Sequence, residues 1–258
     1  MERMPVAARA APRALTAARC AWRDAVGVLL PVDCGGCGRP GPPLCDTCAA
    51  SLDGRAAAVE RVADARLPFP VFAALPYEGP VAGCLRVFKD RGRVDLARPL
   101  SAPLRASVVA AWACTRPGGR SPPVLLAIPS SQASTRRRGY APVPRLLRSA
   151  RLQPSPGARL IVVRRVADQA GLDVAARAAN LAGAFRASGV EGLRVVLVDD
   201  VVTTGSTLLE ASRAVDAAGG EVISAACLAH AQRRAMHIPD GTSGTGDETL
   251  GDDSENGQ

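Results

Sequence analysis

The stretch VVLVDDVVTTGSTLLEA, Val195 to Ala211, decides the fold of the chain. An unbroken apolar run ends in two adjacent carboxylates, Asp199 and Asp200, and a patch of Thr, Gly and Ser leads into a segment of helical character. A buried strand followed by a helix is the repeating unit of a parallel sheet, whose ligands bind beyond the carboxyl ends of the strands. The stretch therefore predicts an α/β fold and the place of its binding site.

Apolar strands and helical segments alternate on both sides of this stretch. The predicted strands are residues 71–75, 124–129, 159–166, 193–202 and 221–230, and the predicted helices are residues 79–88, 96–113, 174–181 and 207–218. The basic segment 136–150 is predicted to become helical only after Pro144. Continuous apolar strands separated by helices indicate a mostly parallel sheet flanked by helices on both faces.

Four of the eight cysteines lie close together in the sequence CGGCGRPGPPLCDTC, Cys34 to Cys48. Two CxxC pairs joined by a short turn-rich loop present four thiolates to one tetrahedral ion, which favours a structural zinc site. Disulfides are one alternative, which a reducing cytosol disfavours, and a redox CxxC is another, which would need one pair rather than two. The other cysteines are predicted to be small buried hydrophobic residues: Cys20, Cys84, Cys114 and Cys227.

Composition and charge divide the chain into four parts. Residues 1–20 are predicted to be disordered, residues 21–55 to form a short helix and the cysteine module, residues 66–239 to form the α/β domain, and residues 240–258 to be a disordered acidic tail. The net charge is +8 overall but +14 without the tail, which has six acids and no base. A basic body favours phosphates, nucleotides or nucleic acids as ligands.

No apolar run has the roughly 18 residues of a membrane span, and no signal-peptide pattern is found, so a cytoplasmic protein is expected.

The acidic junction has the chemistry of a sugar phosphate site. The segment Thr203 to Thr207 lies where unpaired N–H groups and the positive end of a helix dipole bind phosphate, and Gly205 lets the backbone approach the anion. The two carboxylates repel phosphate but accept hydrogen bonds from sugar hydroxyls, so a ribose 5-phosphate meets both demands. Neither a Walker P-loop nor a GxGxxG dinucleotide motif is present. The alternative is a polar helix-capping turn, which leaves two acids after a buried strand without a ligand.

The sequence VLVDDVVTTGSTL resembles the 5-phosphoribosyl 1-pyrophosphate (PRPP) signature of type I phosphoribosyltransferases, and the chain from about Ala21 to His230 resembles the ComF family. The shared features are, in chain order, the double CxxC with Ser51-Leu52, Tyr77-Glu78-Gly79 with FKDRGR, IPSS with RRRGY, Gln169 and Leu172 ahead of Arg177, Asn180 and Gly183-Ala184-Phe185, the acidic signature, and the closing LAH. The family commonly has Asn-Gln after RGY, where this chain has Ala141-Pro142.

This resemblance implies a type I phosphoribosyltransferase-like domain with PRPP and Mg²⁺ as ligands, beside a small module with a structural Zn²⁺. It implies that Asp199 and Asp200 bind the ribose hydroxyls and act in catalysis. The implied 5-phosphate residues are Thr203, Thr204, Gly205, Ser206 and Thr207; the implied pyrophosphate residues are Ser130, Ser131, Arg136, Arg137, Arg138 and Arg177; the zinc ligands are Cys34, Cys37, Cys45 and Cys48.

Two functions stay open at this point. In the first, the protein is an enzyme that transfers phosphoribose from PRPP to an unknown nitrogen acceptor base. In the second, it binds PRPP without catalysis and serves DNA uptake, with the cysteine module and the basic body contacting single-stranded DNA or proteins of the competence machinery. Platforms for single strands combine basic residues with stacking aromatics. The chain has only two Trp, two Tyr and four Phe, so the aromatic half of that signal is weak.

Overall fold

The structure is a computed structural model and describes residues 32–53, 59–62, 66–114, 122–164 and 181–231. The strands are β1 (Val32–Asp33), β2 (Pro40–Gly41), β3 (Glu60–Val62), β4 (Val71–Pro76), β5 (Val124–Ala127), β6 (Arg159–Val162), β7 (Phe185–Ser188), β8 (Arg194–Val202) and β9 (Glu221–His230). The helices are α1 (Asp46–Ala50), α2 (Gly79–Asp90), α3 (Ala97–Ala113), α4 (Gln132–Arg138), α5 (Pro142–Ser149) and α6 (Ser206–Asp216), with a 3₁₀ turn at Val94–Leu96.

A five-stranded sheet in the order β3-β4-β9-β8-β5 forms the centre of the fold. Strands β4, β9, β8 and β5 are parallel, and β3 pairs antiparallel with β4 at one edge. Alternate side chains of β8 enter two cores: Val196 and Val198 pack with residues of α2, α3 and α5, whereas Val195 and Leu197 pack with residues of α6. Helices on both faces explain the continuous apolar character of the strands. The predicted mostly parallel α/β architecture is confirmed.

The basic segment after β5 differs from the prediction. Residues 136–138, which were predicted to be non-helical, form the last turn of helix α4, and α5 begins before Pro144. Ser131 caps α4 by accepting a hydrogen bond from the amide of Ser134, and Gly139 ends the helix in a left-handed conformation with φ of 76°. Pro142 occupies the first turn of α5, where proline needs no amide partner. The two helices thus form from capping signals, and the prediction of a single late helix was wrong.

Strand β6 also differs from the prediction, because it lies outside the five-stranded sheet. It pairs antiparallel with β7, a strand that the sequence reasoning did not predict.

Cys84 and Cys227 are buried as predicted, whereas Cys114, at the end of α3, is exposed, so that part of the prediction was wrong.

Several predicted segments lie outside the described residues. They are the N-terminal 20 residues with Cys20, the helix at 21–30, nearly all of the helix at 174–181, and the acidic tail. Across the ranges that are described, no helix combines the length and the apolar character needed to cross a membrane.

Candidate phosphoribosyl site and cysteine module

The predicted site lies at the carboxyl end of β8, a strand that runs through both acids to Val202. Residues 203–205 form the connection, and α6 begins at Ser206, one residue earlier than predicted. Gly205 is the residue before the helix and has a φ of 72°, a left-handed conformation that favours glycine. The loop therefore turns sharply at Gly205, and the first amides of α6 lie at the edge of the sheet.

Asp199 and Asp200 occupy successive positions of β8, so their side chains start on opposite faces of the sheet. Asp200 lies on the face that α2 covers and is 8% exposed, while Asp199 is mostly buried but retains more exposed surface than Asp200. One carboxylate oxygen of Asp199 accepts the amide of Asp200 at 2.8 Å. Burial, and then the neighbouring Asp200, raise the pKa of Asp199 to about 8, although Lys89 opposes the shift.

Lys89, near the end of α2, is the direct partner of the acid pair. Its Nζ donates a hydrogen bond to Oδ1 of Asp200 at 2.7 Å. Burial disfavours the charged ammonium, but the attraction of Asp200 and Asp199 outweighs it and raises the pKa of Lys89. The site therefore contains one fixed positive charge beside two carboxyl groups.

The loop between β8 and α6 is held by a second basic side chain. Arg66 donates a hydrogen bond to the carbonyl oxygen of Thr204. Within the loop, the hydroxyls of Thr204 and Ser206 are 3.0 Å apart and hydrogen-bonded, and the Gly205 carbonyl accepts the amide of Leu209. Hydroxyls, helix amides and a nearby guanidinium together match the donors that a phosphate requires.

The residues assigned to pyrophosphate follow β5, which is the neighbour of β8 in the sheet. Ser130 and Ser131 lie three and four residues beyond the end of the strand, and the Ser131 side chain is engaged in capping α4. Arg136 and Arg137 are exposed, while Arg138 turns towards α2 and pairs with Asp90 at 3.2 Å. Arg177 lies outside the described residues.

The buried Nε of Arg138 has no hydrogen-bond partner within the described part of the chain. Buried polar groups in native proteins are rarely left unpaired. An unpaired donor at this point is consistent with a missing acceptor beside α4.

The end of α2 connects this basic segment with the acid pair. Tyr140 packs its ring against Phe88 with centroids 5.4 Å apart, and its hydroxyl donates to the Phe88 carbonyl oxygen. Asp90 pairs with Arg138, and Lys89, between Phe88 and Asp90, pairs with Asp200. Three successive residues of one helical turn thus join the two halves of the predicted site.

The four cysteines of the N-terminal module converge as predicted. Their sulfur atoms all lie within 4.8 Å of one another, with Sγ of Cys45 at 3.7 Å from Cys34 and 4.0 Å from Cys37. Zn–S bonds of about 2.3 Å in a tetrahedron require sulfurs about 3.8 Å apart. The spacing of the cluster fits a tetrahedral zinc ion.

The electrostatics of the cluster also suit a metal. Although burial opposes it, hydrogen bonds from the backbone of Cys37, Cys45 and Gly36 lower the pKa of Cys34 to about 6. Arg39 donates to Sγ of Cys37 at 3.3 Å and lowers the pKa of that thiol. Thiolates are the form that binds metal, so these contacts favour metal binding at Cys34 and Cys37, whereas burial raises the pKa of the Cys48 thiol.

The module packs directly against α2. A Cβ atom added to Gly83 would lie 2.1 Å from the carbonyl oxygen of Gly36, so the two backbones are in close contact. Arg93, after the helix, donates to the carbonyls of Asp33 and Pro43 at 3.0 and 3.1 Å. The cysteine module is therefore attached to the same helix that carries Lys89.

Sequence reasoning did not assign Lys89, Arg66 or Tyr140 to the site. Lys89 and Tyr140 fall within the FKDRGR and RRRGY motifs, and Lys89 is the sole lysine among 32 basic residues. This isolated lysine was a signal that could have been followed. Arg66 carried no signal, because its contact with the loop spans 138 residues of sequence.

Comparisons with known proteins agree with this arrangement. The profile of the phosphoribosyl transferase domain matches residues 107–245. The DNA utilization protein YhgH of Escherichia coli O6:H1 is 31% identical over 160 residues, which are 59% of this chain and 68% of that protein. The Salmonella typhi protein of that name is 43% identical over 67 residues, 26% of this chain and 30% of that protein. An orotate phosphoribosyltransferase of Methanopyrus kandleri is 52% identical over 46 residues, 18% of this chain and 25% of that protein. The last two matches span less than a third of the length of those relatives. The chain belongs to the type I phosphoribosyltransferase-domain family and is a ComF-like member of it.

Proposed function

We propose that this protein binds PRPP at the end of β8 and transfers its phosphoribosyl group to a nitrogen acceptor. One observation carries the proposal: two carboxylates end a central parallel strand and are followed at once by a tight loop at the N-terminus of α6. A sugar phosphate is the ligand that needs hydroxyl acceptors and a phosphate cradle side by side. The family match is consistent with this ligand.

In the proposed complex, the segment Thr203 to Thr207 holds the 5-phosphate through helix amides and hydroxyls. Asp199 and Asp200 accept hydrogen bonds from the 2- and 3-hydroxyls of the ribose. The turn at Ser130 and Ser131 offers backbone amides to the pyrophosphate. Arg136, Arg137, Arg138 and Arg177 are the basic residues proposed to neutralise it, and the unpaired Nε of Arg138 supports a place for an acceptor nearby.

The proposed reaction breaks the bond between C1 of the ribose and the pyrophosphate oxygen, which leaves with the electron pair. The acceptor nitrogen forms the new bond to C1 and loses a proton. The sugar passes through an oxocarbenium-like state, which the carboxylates of Asp199 and Asp200 stabilise. Basic side chains on the pyrophosphate side of the proposed site stabilise the departing anion.

Mg²⁺ belongs to the proposed ligand rather than to a protein cage. Among the residues that the structure describes, the four cysteines form the only group of three or more side chains suited to one metal ion. Mg²⁺ commonly binds through substrate phosphates with few protein ligands. It would supply positive charge to the leaving pyrophosphate.

We further propose that Cys34, Cys37, Cys45 and Cys48 bind a structural Zn²⁺, supported by the sulfur spacing and by the lowered pKa values of the Cys34 and Cys37 thiols. A closed set of four cysteines leaves no open position for catalysis. Thiolate zinc sites persist in reducing compartments, so a cytoplasmic location is part of the proposal.

Calorimetry with PRPP and Mg²⁺ tests binding. We expect saturable binding by the wild type, and none by the variant that combines Asp199→Asn and Asp200→Asn, because amides accept the ribose hydroxyls less well and lose the negative charge. Asp216→Asn, an exposed acid at the far end of α6, is the matched control and should bind normally. Equal binding by the double variant would refute the site.

A screen of purines, pyrimidines and nicotinate-like acids for pyrophosphate release tests catalysis. Release with one acceptor, abolished in the double variant, would establish the transfer. Silence across the panel, with PRPP binding intact, would favour a role without catalysis.

That second function is PRPP or single-stranded DNA binding in DNA uptake. The basic body, at +14 without the tail, and the name DNA utilization protein of the YhgH relatives favour it. Fluorescence anisotropy with labelled single-stranded DNA at two salt concentrations tests it, since binding through phosphates weakens steeply with salt. The acceptor-dependent release of pyrophosphate without DNA affinity would exclude it.

A further inference from the structure

Lys89 is the one lysine in a chain that uses arginine for its other 31 basic residues. A chain with such a strong preference for arginine places its single ammonium group on the acid pair of the proposed site. Its Nζ lies 2.7 Å from Asp200, and the two side chains are 27% and 11% exposed. Within the described residues, this is the hydrogen bond that the ammonium makes.

The two cations are not equivalent at this position. Guanidinium is a planar fork that binds a carboxylate through two parallel bonds and covers both oxygens, whereas ammonium is a compact charge with three donors. A lysine can bind one oxygen of Asp200, as observed at Oδ1, without the bidentate pairing that an arginine favours. The compact cation therefore suits a carboxylate that must also accept a ligand hydroxyl.

The position of Lys89 in the fold points the same way. It lies between Phe88, which receives the hydroxyl of Tyr140, and Asp90, which pairs with Arg138. The first and third residues of this turn hold the basic segment, and the middle residue holds the acid pair. The ammonium is thus fixed where the diol side and the pyrophosphate side of the proposed site meet.

We propose that Lys89 is a positioning residue of the PRPP site, which supplies the counter-charge of Asp200 and orients its carboxylate towards the ribose hydroxyls. This inference rests on the proposed function. Without the ammonium, Asp200 would lie beside Asp199 with no positive partner among the described residues, and the two carboxyl groups would turn away from each other or take up a proton. Both changes weaken the hydrogen bonds to the sugar.

The inference makes a specific statement about ligands. Ribose 5-phosphate has the 5-phosphate and the diol of PRPP but no pyrophosphate. Because Lys89 acts through Asp200, Lys89→Met should lower the affinity for PRPP and for ribose 5-phosphate by a similar factor. We expect a loss on the order of 10-fold, which corresponds to one charge-assisted hydrogen bond. The effect should disappear when Asp200 is already replaced.

Calorimetry with each ligand and Mg²⁺ on four proteins tests this. They are the wild type, Lys89→Met, Asp200→Asn and the double variant that combines Lys89→Met with Asp200→Asn. Arg86→Met, which removes an exposed cation from the same helix, is the control and should bind within about 2-fold of the wild type. We expect Lys89→Met to lose about 10-fold, and the double variant to bind no more weakly than Asp200→Asn. Thermal melting of each variant gives its folded fraction, and a purely structural lysine would leave the affinity of the folded fraction unchanged.

The outcomes separate the inference from the function. A wild type that does not bind PRPP would overturn the proposed function itself. A wild type that binds PRPP, with Lys89→Met binding equally well, would overturn the role of Lys89 alone. Fully additive losses in the double variant would also overturn it, because the two residues would then act independently.

Discussion

Gly83 is the residue at which the attachment of the cysteine module to α2 can be tested most directly. It lies in the middle of the helix, and a Cβ atom there would be 2.1 Å from the carbonyl oxygen of Gly36 and 3.2 Å from that of Gly35. Both neighbours are backbone atoms between the first two cysteines. They cannot rotate away as a side chain could, so Gly83→Ala must push the module away from the helix.

Two opposing terms set the size of the effect. In an unobstructed helix, alanine is more favourable than glycine by about 1 kcal/mol. Overpacking typically costs about 1–3 kcal/mol, and contact with fixed backbone belongs at the upper end of that range. We therefore expect a net loss of about 2 kcal/mol in the free energy of unfolding. In a chain of this size that corresponds to a fall in melting temperature of about 4–8 °C.

Thermal unfolding followed by circular dichroism, with zinc content measured on the same samples, is the assay. Gly157→Ala is the control, because a Cβ at Gly157 would meet nothing within 4 Å and that glycine does not adopt a left-handed φ. It should melt at the wild-type temperature or slightly above it. If Gly83→Ala melted as high as Gly157→Ala, the close contact between module and helix would be refuted.

Four further predictions follow from the charges and the metal site. The raised pKa of Asp199 means that the folded protein binds a proton more tightly than the unfolded chain, so its contribution to stability should fall as pH rises from about 4 to about 8 and then level off; Asp199→Asn should remove this slope in urea titrations. For the same reason, PRPP binding near pH 7 should release protons, measurable as a dependence of calorimetric enthalpy on the buffer; no dependence would count against an ionised Asp199 in the complex. Removal of zinc with a chelator, or Cys45→Ser, should unfold the N-terminal module and abolish the content of about one zinc per chain; an unchanged melting curve would contradict a structural metal. Glu210, 6% exposed, accepts the amide of Phe185 and a bidentate pair from Arg213, so Arg213→Met, which leaves the buried carboxylate without its cation, should cost about 2 kcal/mol by urea denaturation, and Glu210→Gln, which keeps an acceptor for the Phe185 amide and leaves only a half-exposed guanidinium, clearly less; equal losses would contradict a penalty for the unpaired buried carboxylate.

The sequence was sufficient for the central part of the fold because the signals there are local. The apolar run of β8, its two acids and the glycine before α6 specify strand, turn and helix within a few residues, and β9 was predicted with its observed ends, Glu221 and His230. The double CxxC likewise contains its own geometry, since two short turns bring four thiols together. Such signals need no knowledge of the rest of the chain.

What could not be predicted depends on distant contacts or on weak local signals. The pairing of Lys89 with Asp200 spans 111 residues, and no spacing rule indicates it. Strand β6 has the apolar character of a central strand, but its membership of the sheet is decided by which strand pairs with it. Helix α4 has no apolar periodicity, so its caps, Ser131 and Gly139, are its main local signals, and they were too weak for a prediction.

Helix α2 changes how the N-terminal module should be regarded. An accessory domain on a flexible tether would leave the phosphoribosyl site intact when removed. Here the backbone of Gly36 contacts Gly83 of α2, and Arg93, just after α2, donates hydrogen bonds to carbonyl oxygens of the module. The last turn of the same helix places Lys89 against Asp200. Loss of the module would expose this face of α2 and free the turn that positions the ammonium. We therefore expect a chain shortened to begin at residue 59 to bind PRPP more weakly than the full chain, even if the five-stranded sheet forms, whereas a mere tether would leave the affinity unchanged.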